Sequence, residues 1–221
     1  MRRSIAVRRY HLLVSTPTFP KRDPGEPEFW DLRYGASFAP WDAGKVPAQL
    51  RSFAAAPHAG ASVLVPGCGS AWDVRCFADD GWAVLGIDFS HEAIAAALPI
   101  LGPHAHRVRQ ADFFAPIAEA PFDAVYERAF LCALPRRMWP EWALRMGEVV
   151  IAGGMLAGFF YFDMGERGPP FPLHSQQELD ALLAARFERV EDSPVPDSIP
   201  VFLGKERWQA WRRRQARAYS S

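Results

Sequence analysis

Apolar residues recur along this chain in short blocks bounded by glycine, proline or charge. ASVLVP (61–66), WAVLGID (82–88), FDAVY (122–126) and MLAGFFYF (155–162) show little internal alternation. Runs of this length and density predict strands buried on both faces. His106 to Gln110 predicts a weaker strand. Between these runs the period lengthens. Helices are expected over Lys45–Ala56, Trp72–Asp80, Ser90–Leu101, Arg136–Val150 and Gln176–Ala185. Ser90 and Ser175 are well-placed N-caps, and Gly153-Gly154 closes the fourth helix. Phe187–Asp192 and Ile199–Leu203 predict two closing strands. Only Ser193 to Ser198 joins them, with no helical crossover, so they should be antiparallel. Glu206–Ala218 predicts a terminal helix. Alternation of strand and helix implies an α/β, Rossmann-like fold. Its seven-stranded sheet is mostly parallel with an antiparallel last strand, and helices cover both faces.

Before the first of these helices the pattern is different. Thr16 to Pro27 holds four prolines and Gly25 and reads as a linker. Residues 1–25 are expected to be a flexible arm ahead of one domain, residues 26–221. Phe29 to Trp41 is an aromatic segment. A chain of 221 residues is long enough to bury a core without staples. Its 25 Lys+Arg balance 25 Asp+Glu, so nothing general draws it to nucleic acid or to an anionic membrane. No run reaches the roughly 18 apolar residues of a membrane span. Cys68, Cys76 and Cys132 form no disulfide framework and no zinc motif, which fits a reducing cytoplasm. The six histidines are scattered, and no metal site is expected.

Chemistry concentrates at strand ends. In an open α/β sheet, ligands sit beyond the carboxyl ends of the strands. The first strand runs into Gly67-Cys68-Gly69-Ser70-Ala71. Two glycines spaced by one residue permit a tight turn whose backbone N–H groups approach a ligand. The second strand ends in Asp88, about 20 residues on, where a carboxylate can accept both ribose hydroxyl hydrogens. Strand, loop, helix and acid together point to an adenosine-containing ligand. A dinucleotide needs a third glycine to admit pyrophosphate at the helix N-terminus, and Trp72 stands there instead. S-adenosylmethionine carries no phosphate, and Asp73 is placed to hold its amine or to hold the loop. Asp112 and Phe113 end the third strand. An acid there can accept from an adenine amino group, and a phenyl ring can cover the base.

These residues resemble the thiopurine S-methyltransferase family of class I S-adenosylmethionine-dependent methyltransferases. The carrying segments are FWDLRYGASFAPWD (29–42), VLVPGCGSAWDV (63–74), VLGIDFSHEAI (84–94), ADFF (111–114), FDAVYERAFLCALP (122–135) and GPPF (168–171). The likeness leans toward the thiol and halide branch. It implies that Trp30, Tyr34 and Trp41 form an aromatic lid over the cofactor. Gly67, Cys68, Gly69 and Asp73 would lie along its methionine part. Asp88, Phe89 and Ser90 would hold the ribose, and Asp112 and Phe113 would bracket the adenine. Arg128 would face cofactor or substrate. Ala71 departs from the glycine common in relatives.

Methyl transfer from a sulfonium is an in-line displacement governed by positioning and water exclusion. A thiolate or halide arrives already anionic, which suits a sequence with no evident general base. Aromatic faces stabilise a sulfonium by about 0.5–2 kcal/mol per contact. The expected acceptor is a small molecule: a thiol, a thiopurine, a halide or a metalloid anion. S-adenosylhomocysteine would be the product, and a monomer is expected. The alternatives are a protein that holds S-adenosylmethionine without turnover, and an NAD-dependent oxidoreductase. Methylation of RNA or protein stays open through Trp208, Trp211 and the arginines 212–214 and 217, although a solvated helix face explains these as well.

Overall fold

The computed structural model describes residues 17–56 and 59–215. The first part of the expected arm, His11, His58 and Arg217 lie outside the described residues. The elements run α1 (Pro27–Gly35), α2 (Ala48–Ala54), β1 (Ser62–Pro66), α3 (Trp72–Asp79), β2 (Ala83–Asp88), α4 (His91–Leu101), β3 (Val108–Gln110), β4 (Phe122–Arg128), α5 (Trp139–Val149), β5 (Val150–Tyr161), α6 (Gln176–Leu183), β6 (Phe187–Pro194) and β7 (Glu206–Arg213).

The seven strands form one sheet in the order β3-β2-β1-β4-β5-β7-β6. Pairs from β3 to β5 are parallel, and β7 runs antiparallel to both β5 and β6. The chain leaves β1 toward β2 and β3, then returns to the other side for β4 and β5. Strand order therefore reverses between β1 and β4, which opens a crevice at their carboxyl ends.

The parallel strands explain the dense apolar runs. Val63 and Val65 face one side with Phe77, Leu50 and Tyr126. Leu64 between them faces the other, with Val125, Leu156, Trp142 and Met146. A strand covered on both faces needs apolar residues at every position. The helices begin as expected: Ser90 accepts the Ala93 N–H at 3.1 Å, and Ser175 accepts the Glu178 N–H.

Two expectations are corrected. Glu206–Ala218 is not a helix, because its described part is β7. Trp208 and Trp211 are three residues apart, which is one face of a helix but opposite faces of a strand. Trp208 accordingly packs in one core layer and Trp211 in the other. Glu, Arg, Gln and Ala are good helix formers, but the slot between β5 and β6 overrides their propensity. Trp208 and Trp211 are therefore internal anchors of the sheet and do not belong to a solvated helix face.

Ile199–Leu203 is not a strand either. Phe202 N–H donates to Ile199 O at 2.9 Å, and Lys205 N–H to Phe202 O at 2.9 Å, so the segment turns. Pro200 in its middle has no N–H to give a ladder. The antiparallel partner of β6 is thus β7. Several boundaries also move, and one helix is new. β5 starts at Val150 and takes in Gly153-Gly154. The weak third strand shortens to Val108–Gln110. The aromatic segment holds a helix, α1, started by Pro27.

Candidate active site

The chain leaves β1 through three left-handed residues: Gly67 (φ 58°), Gly69 (φ 50°) and Ala71 (φ 61°). They fold the loop back on the strand ends. Cys68 N–H donates to Ile87 O at 3.0 Å, and Ala71 N–H to Cys68 O at 2.8 Å. Glycine is needed at the first two positions for space as well. A methyl on Gly67 would overlap the Phe130 ring, and one on Gly69 the Tyr34 hydroxyl. Ala71 adopts the same conformation at the steric cost that a glycine would avoid.

Asp88 closes β2 behind this loop. Its Oδ2 accepts the Gly69 N–H at 3.0 Å and its Oδ1 the Ser90 N–H at 2.9 Å. Asp88 as a whole is 8% exposed. Burial pushes its pKa up to about 6; the two amide bonds pull it down, and the nearby charge of Asp31 adds to the rise. Each Asp88 oxygen keeps acceptor capacity toward the cavity, since one N–H uses one of its lone pairs.

Asp31 ties α1 to the start of α4. Its Oδ1 accepts from Ser90 Oγ at 2.6 Å and from the Glu92 N–H at 3.3 Å. His91 Nδ1 lies 3.0 Å from its other oxygen. Ser90 is therefore a buried cap and does not itself line the cavity. Its hydroxyl fixes the lid helix beside Asp88.

On that helix and just after it stand Trp30, Tyr34 and Trp41. The Trp30 and Trp41 rings meet edge to face at 5.4 Å, and Tyr34 meets Trp41 at 5.9 Å. Trp41 Nε1 donates to Tyr34 Oη at 3.2 Å, and Trp30 Nε1 to Pro24 O at 2.8 Å. Burial, helped by the charge of Asp88, holds the Tyr34 phenol well above its usual range. Arg33 stacks on Phe29 and Phe19, which pins residue 19 to the lid.

Opposite the lid, Arg128 at the end of β4 pairs with Asp73 at the start of α3, Nη1 to Oδ1 at 3.4 Å, and lies over the Phe159 ring at 5.5 Å. Burial pushes the Asp73 carboxyl up against the opposing pull of Arg128. Burial works against the guanidinium too, but the charges of Asp73, Tyr126 and Glu206 outweigh it and raise its pKa.

The glycine loop, Asp88, the aromatic lid, Asp73 and Arg128 line one cavity of about 480 Å³. Of the residues singled out in the sequence, Trp30, Tyr34, Trp41, Gly67, Cys68, Gly69, Asp73, Asp88, Phe89, Asp112, Phe113 and Arg128 lie on its wall; Ser90 stands behind it. Asp112 Oδ1 accepts the Phe114 N–H at 2.9 Å, which leaves its other oxygen open. Burial holds the Cys68 thiol protonated, well above the usual range. Sequence reasoning missed the other end of the cavity. There Phe130, Cys132, Ala133, Leu134, Pro169, Pro170, Val201 and Phe202 make an apolar wall, and Lys45 stands at the rim. The prolines, in GPPF, and Phe130 to Leu134, in FDAVYERAFLCALP, fall within the resemblance, which gives them no site role. The rest reach the cavity through turns whose chemistry is non-local.

The donor set fits S-adenosylmethionine. A doubly anchored carboxylate, an acid and phenyl at the third strand end, and aromatic rings over a glycine loop have the chemistry to suit its ribose, base and sulfonium. Among the described residues, no cluster of His, Cys, Asp or Glu is arranged to hold a metal ion. No described helix is long and apolar enough to cross a membrane.

Comparison with known proteins agrees with this geometry. The thiopurine S-methyltransferase family model matches residues 25–214. Thiocyanate methyltransferase 1 of Arabidopsis thaliana is 28% identical over 196 residues, covering 83% of this chain and 84% of that protein. A thiopurine S-methyltransferase of Xanthobacter autotrophicus is 30% identical over 197 residues, covering 79% and 92%. Among solved structures, a 1,6-didemethyltoxoflavin-N1-methyltransferase of Burkholderia thailandensis, with S-adenosylhomocysteine bound, superposes with a TM-score of 0.65 at 21% identity over 90% of this chain and 94% of that one. A TehB-like S-adenosylmethionine-dependent methyltransferase of Corynebacterium glutamicum gives 0.60 at 19% identity, over 85% and 95%. These two likenesses show the fold.

Proposed function

Because the chain belongs to the thiopurine S-methyltransferase family, and so to the S-adenosylmethionine-dependent methyltransferases, we propose that it methylates the sulfur of a small thiol. The observation that carries this reading is the two-ended lining of the cavity. One end offers the carboxylates and aromatic rings that suit the methyl donor. The other is largely apolar, and Arg128, part-buried and paired with Asp73, stands in the lining beside it.

Bound S-adenosylmethionine supplies an electrophilic methyl group on a sulfonium. Asp88 accepts the ribose hydroxyls and Asp112 the adenine amino group, with Phe113 on the base. Trp30 and Trp41 turn aromatic surface toward the sulfonium end. Asp73 takes the methionine ammonium. Arg128 attracts the anionic sulfur of the acceptor, and the apolar wall around Phe130 and Phe202 excludes water and strengthens that attraction. A new sulfur–carbon bond forms as the sulfonium–carbon bond breaks, and its electron pair stays on the departing thioether. Among the described residues, no histidine lines the cavity. An acceptor with a low thiol pKa needs none, because it arrives as the thiolate.

Calorimetric titration with S-adenosylhomocysteine, with NAD as control, tests the donor end. Micromolar binding of the first alone is expected. Binding of NAD alone would overturn the reading.

A further inference from the structure

Behind the apolar wall lies a carboxylate that the transfer itself does not use. Glu127 precedes Arg128 on β4 and points to the other side of the sheet, where it is 1% exposed. Its Oε1 accepts two consecutive N–H groups, from Phe130 at 2.9 Å and from Leu131 at 3.0 Å. These amides open a single 3₁₀ turn, Leu131–Ala133. The same turn is held from two other sides. Trp139 Nε1 on α5 donates to Leu131 O and Leu134 O, both at 3.1 Å. Phe171 N–H donates to Cys132 O at 2.6 Å, which ties in the Gly168–Pro170 segment.

The turn carries much of the apolar wall. Phe130, Cys132, Ala133 and Leu134 all reach the cavity from it. Phe130 also covers Gly67 and meets Phe113 at 5.3 Å between ring centres. Ala129, which leads into the turn, is held at φ 56°. A non-glycine residue stays in that region only where its surroundings over-determine it. A buried carboxylate gripping the next two amides is such a constraint.

We propose that Glu127 is a positioning residue for the acceptor: through the Phe130 and Leu131 amides it fixes the wall against which the thiol is aligned with the methyl group. The acceptor role rests on the methyl-transfer reading; the clamp does not. Burial pushes the Glu127 carboxyl up to about 7, and the two amide bonds oppose that rise. The groups facing it are the Trp142 indole, the Cys132 thiol and the Tyr161 ring, none of them a cation. The carboxyl is therefore held by the amides and, among the described residues, by no ion pair.

The test compares wild type, Glu127→Ala and Glu127→Gln. Amide hydrogen exchange in the cofactor-free protein should show Phe130 and Leu131 protected in wild type and in Glu127→Gln, and exchanging at least about tenfold faster in Glu127→Ala. With a thiol acceptor, Glu127→Ala should raise the acceptor KM about tenfold or more, and Gln should restore it. Affinity for S-adenosylhomocysteine should fall by much less than the acceptor KM rises, because Phe130 touches the donor end only at Gly67 and Phe113, while Asp88 and Asp112 stand on other strands. Unchanged exchange with unchanged acceptor KM would overturn the proposal. So would a parallel loss of S-adenosylhomocysteine affinity, since Glu127 would then support the whole site. If Glu127→Ala does not fold, Glu127→Asp, one methylene short of the amides, takes its place with the same expected split. If wild type methylates no thiol, the methyl-transfer reading fails, while exchange in the cofactor-free protein still decides the clamp.

Discussion

Two buried carboxyls, Asp88 and Glu127, sit at the ends of β2 and β4, the strands on either side of β1, and both have raised pKa values, about 6 and about 7. Each binds its proton more tightly folded than unfolded. Their ionisation therefore costs stability, and unfolding should become easier as pH rises from about 4, the unfolded value, through 6 and 7. Each contributes about 3 kcal/mol to that fall. Denaturant midpoints across pH 4.5 to 8 should show it, and Glu127→Gln should remove its share. A flat profile in wild type would contradict the assignment. At the same time Asp88 must be ionised to accept two hydroxyl hydrogens, so donor affinity should decline below about pH 6. Asp88→Ala removes two charge-assisted hydrogen bonds worth about 1.5–3 kcal/mol each. Calorimetry should then find S-adenosylhomocysteine bound about a hundredfold more weakly or worse. Equal affinity in mutant and wild type would remove Asp88 from the site. Both glycines and Asp88 were legible in the sequence because each acts within a few residues of a strand end. Glu127 was not, because its role depends on a turn that only its own hydrogen bonds define.

At the scale of elements, β7 carries the sharpest test of packing. Gln209 is fully buried, and its side chain satisfies three neighbours. Its Nε2 donates to Gln176 Oε1 at 2.5 Å and to Asp192 Oδ1 at 3.3 Å, and its Oε1 accepts from Trp211 Nε1 at 3.1 Å. Gln209→Ala should cost about 1–3 kcal/mol by leaving the indole N–H unpaired, and Trp211→Ala about 3–5 kcal/mol by emptying the core. Urea unfolding measures both, and an effect under 0.5 kcal/mol in either would show that β7 does not hold the sheet. The parallel strands could be read from their apolar runs, since burial on both faces leaves a dense pattern. β7 could not, because ERWQAWRR is polar and helix-forming, and its strand state is imposed by β5 and β6. Ile199–Leu203 misled in the opposite way: it has strand composition, but Pro200 and the packing of Ile199 and Phe202 beside Cys132 bend it into a turn. The aromatic lid was legible as composition, though not as a helix docked on α4 through Asp31.

Across the whole molecule, one topological fact places the chemistry. The reversal of strand order between β1 and β4 leaves a crevice, and the chain fills its two sides with different residues. Loops after β1, β2 and β3 bring carboxylates and glycines. The segments after β4, β5 and β6 bring an apolar wall, and α1 closes the top with aromatic rings. Zero net charge leaves this cavity, with no broad surface field, to select the ligand. In the proposed function, this cavity moves a methyl group onto sulfur. The direct measurement is turnover of S-adenosylmethionine carrying a labelled methyl group with a panel of small thiols, including one of low pKa, alongside oxygen and nitrogen acceptors. The account predicts a labelled S-methyl product in equal amount to S-adenosylhomocysteine, formed fastest with the low-pKa thiol. Label transferred only to oxygen or nitrogen, or S-adenosylhomocysteine bound with no thiol methylated, would contradict it.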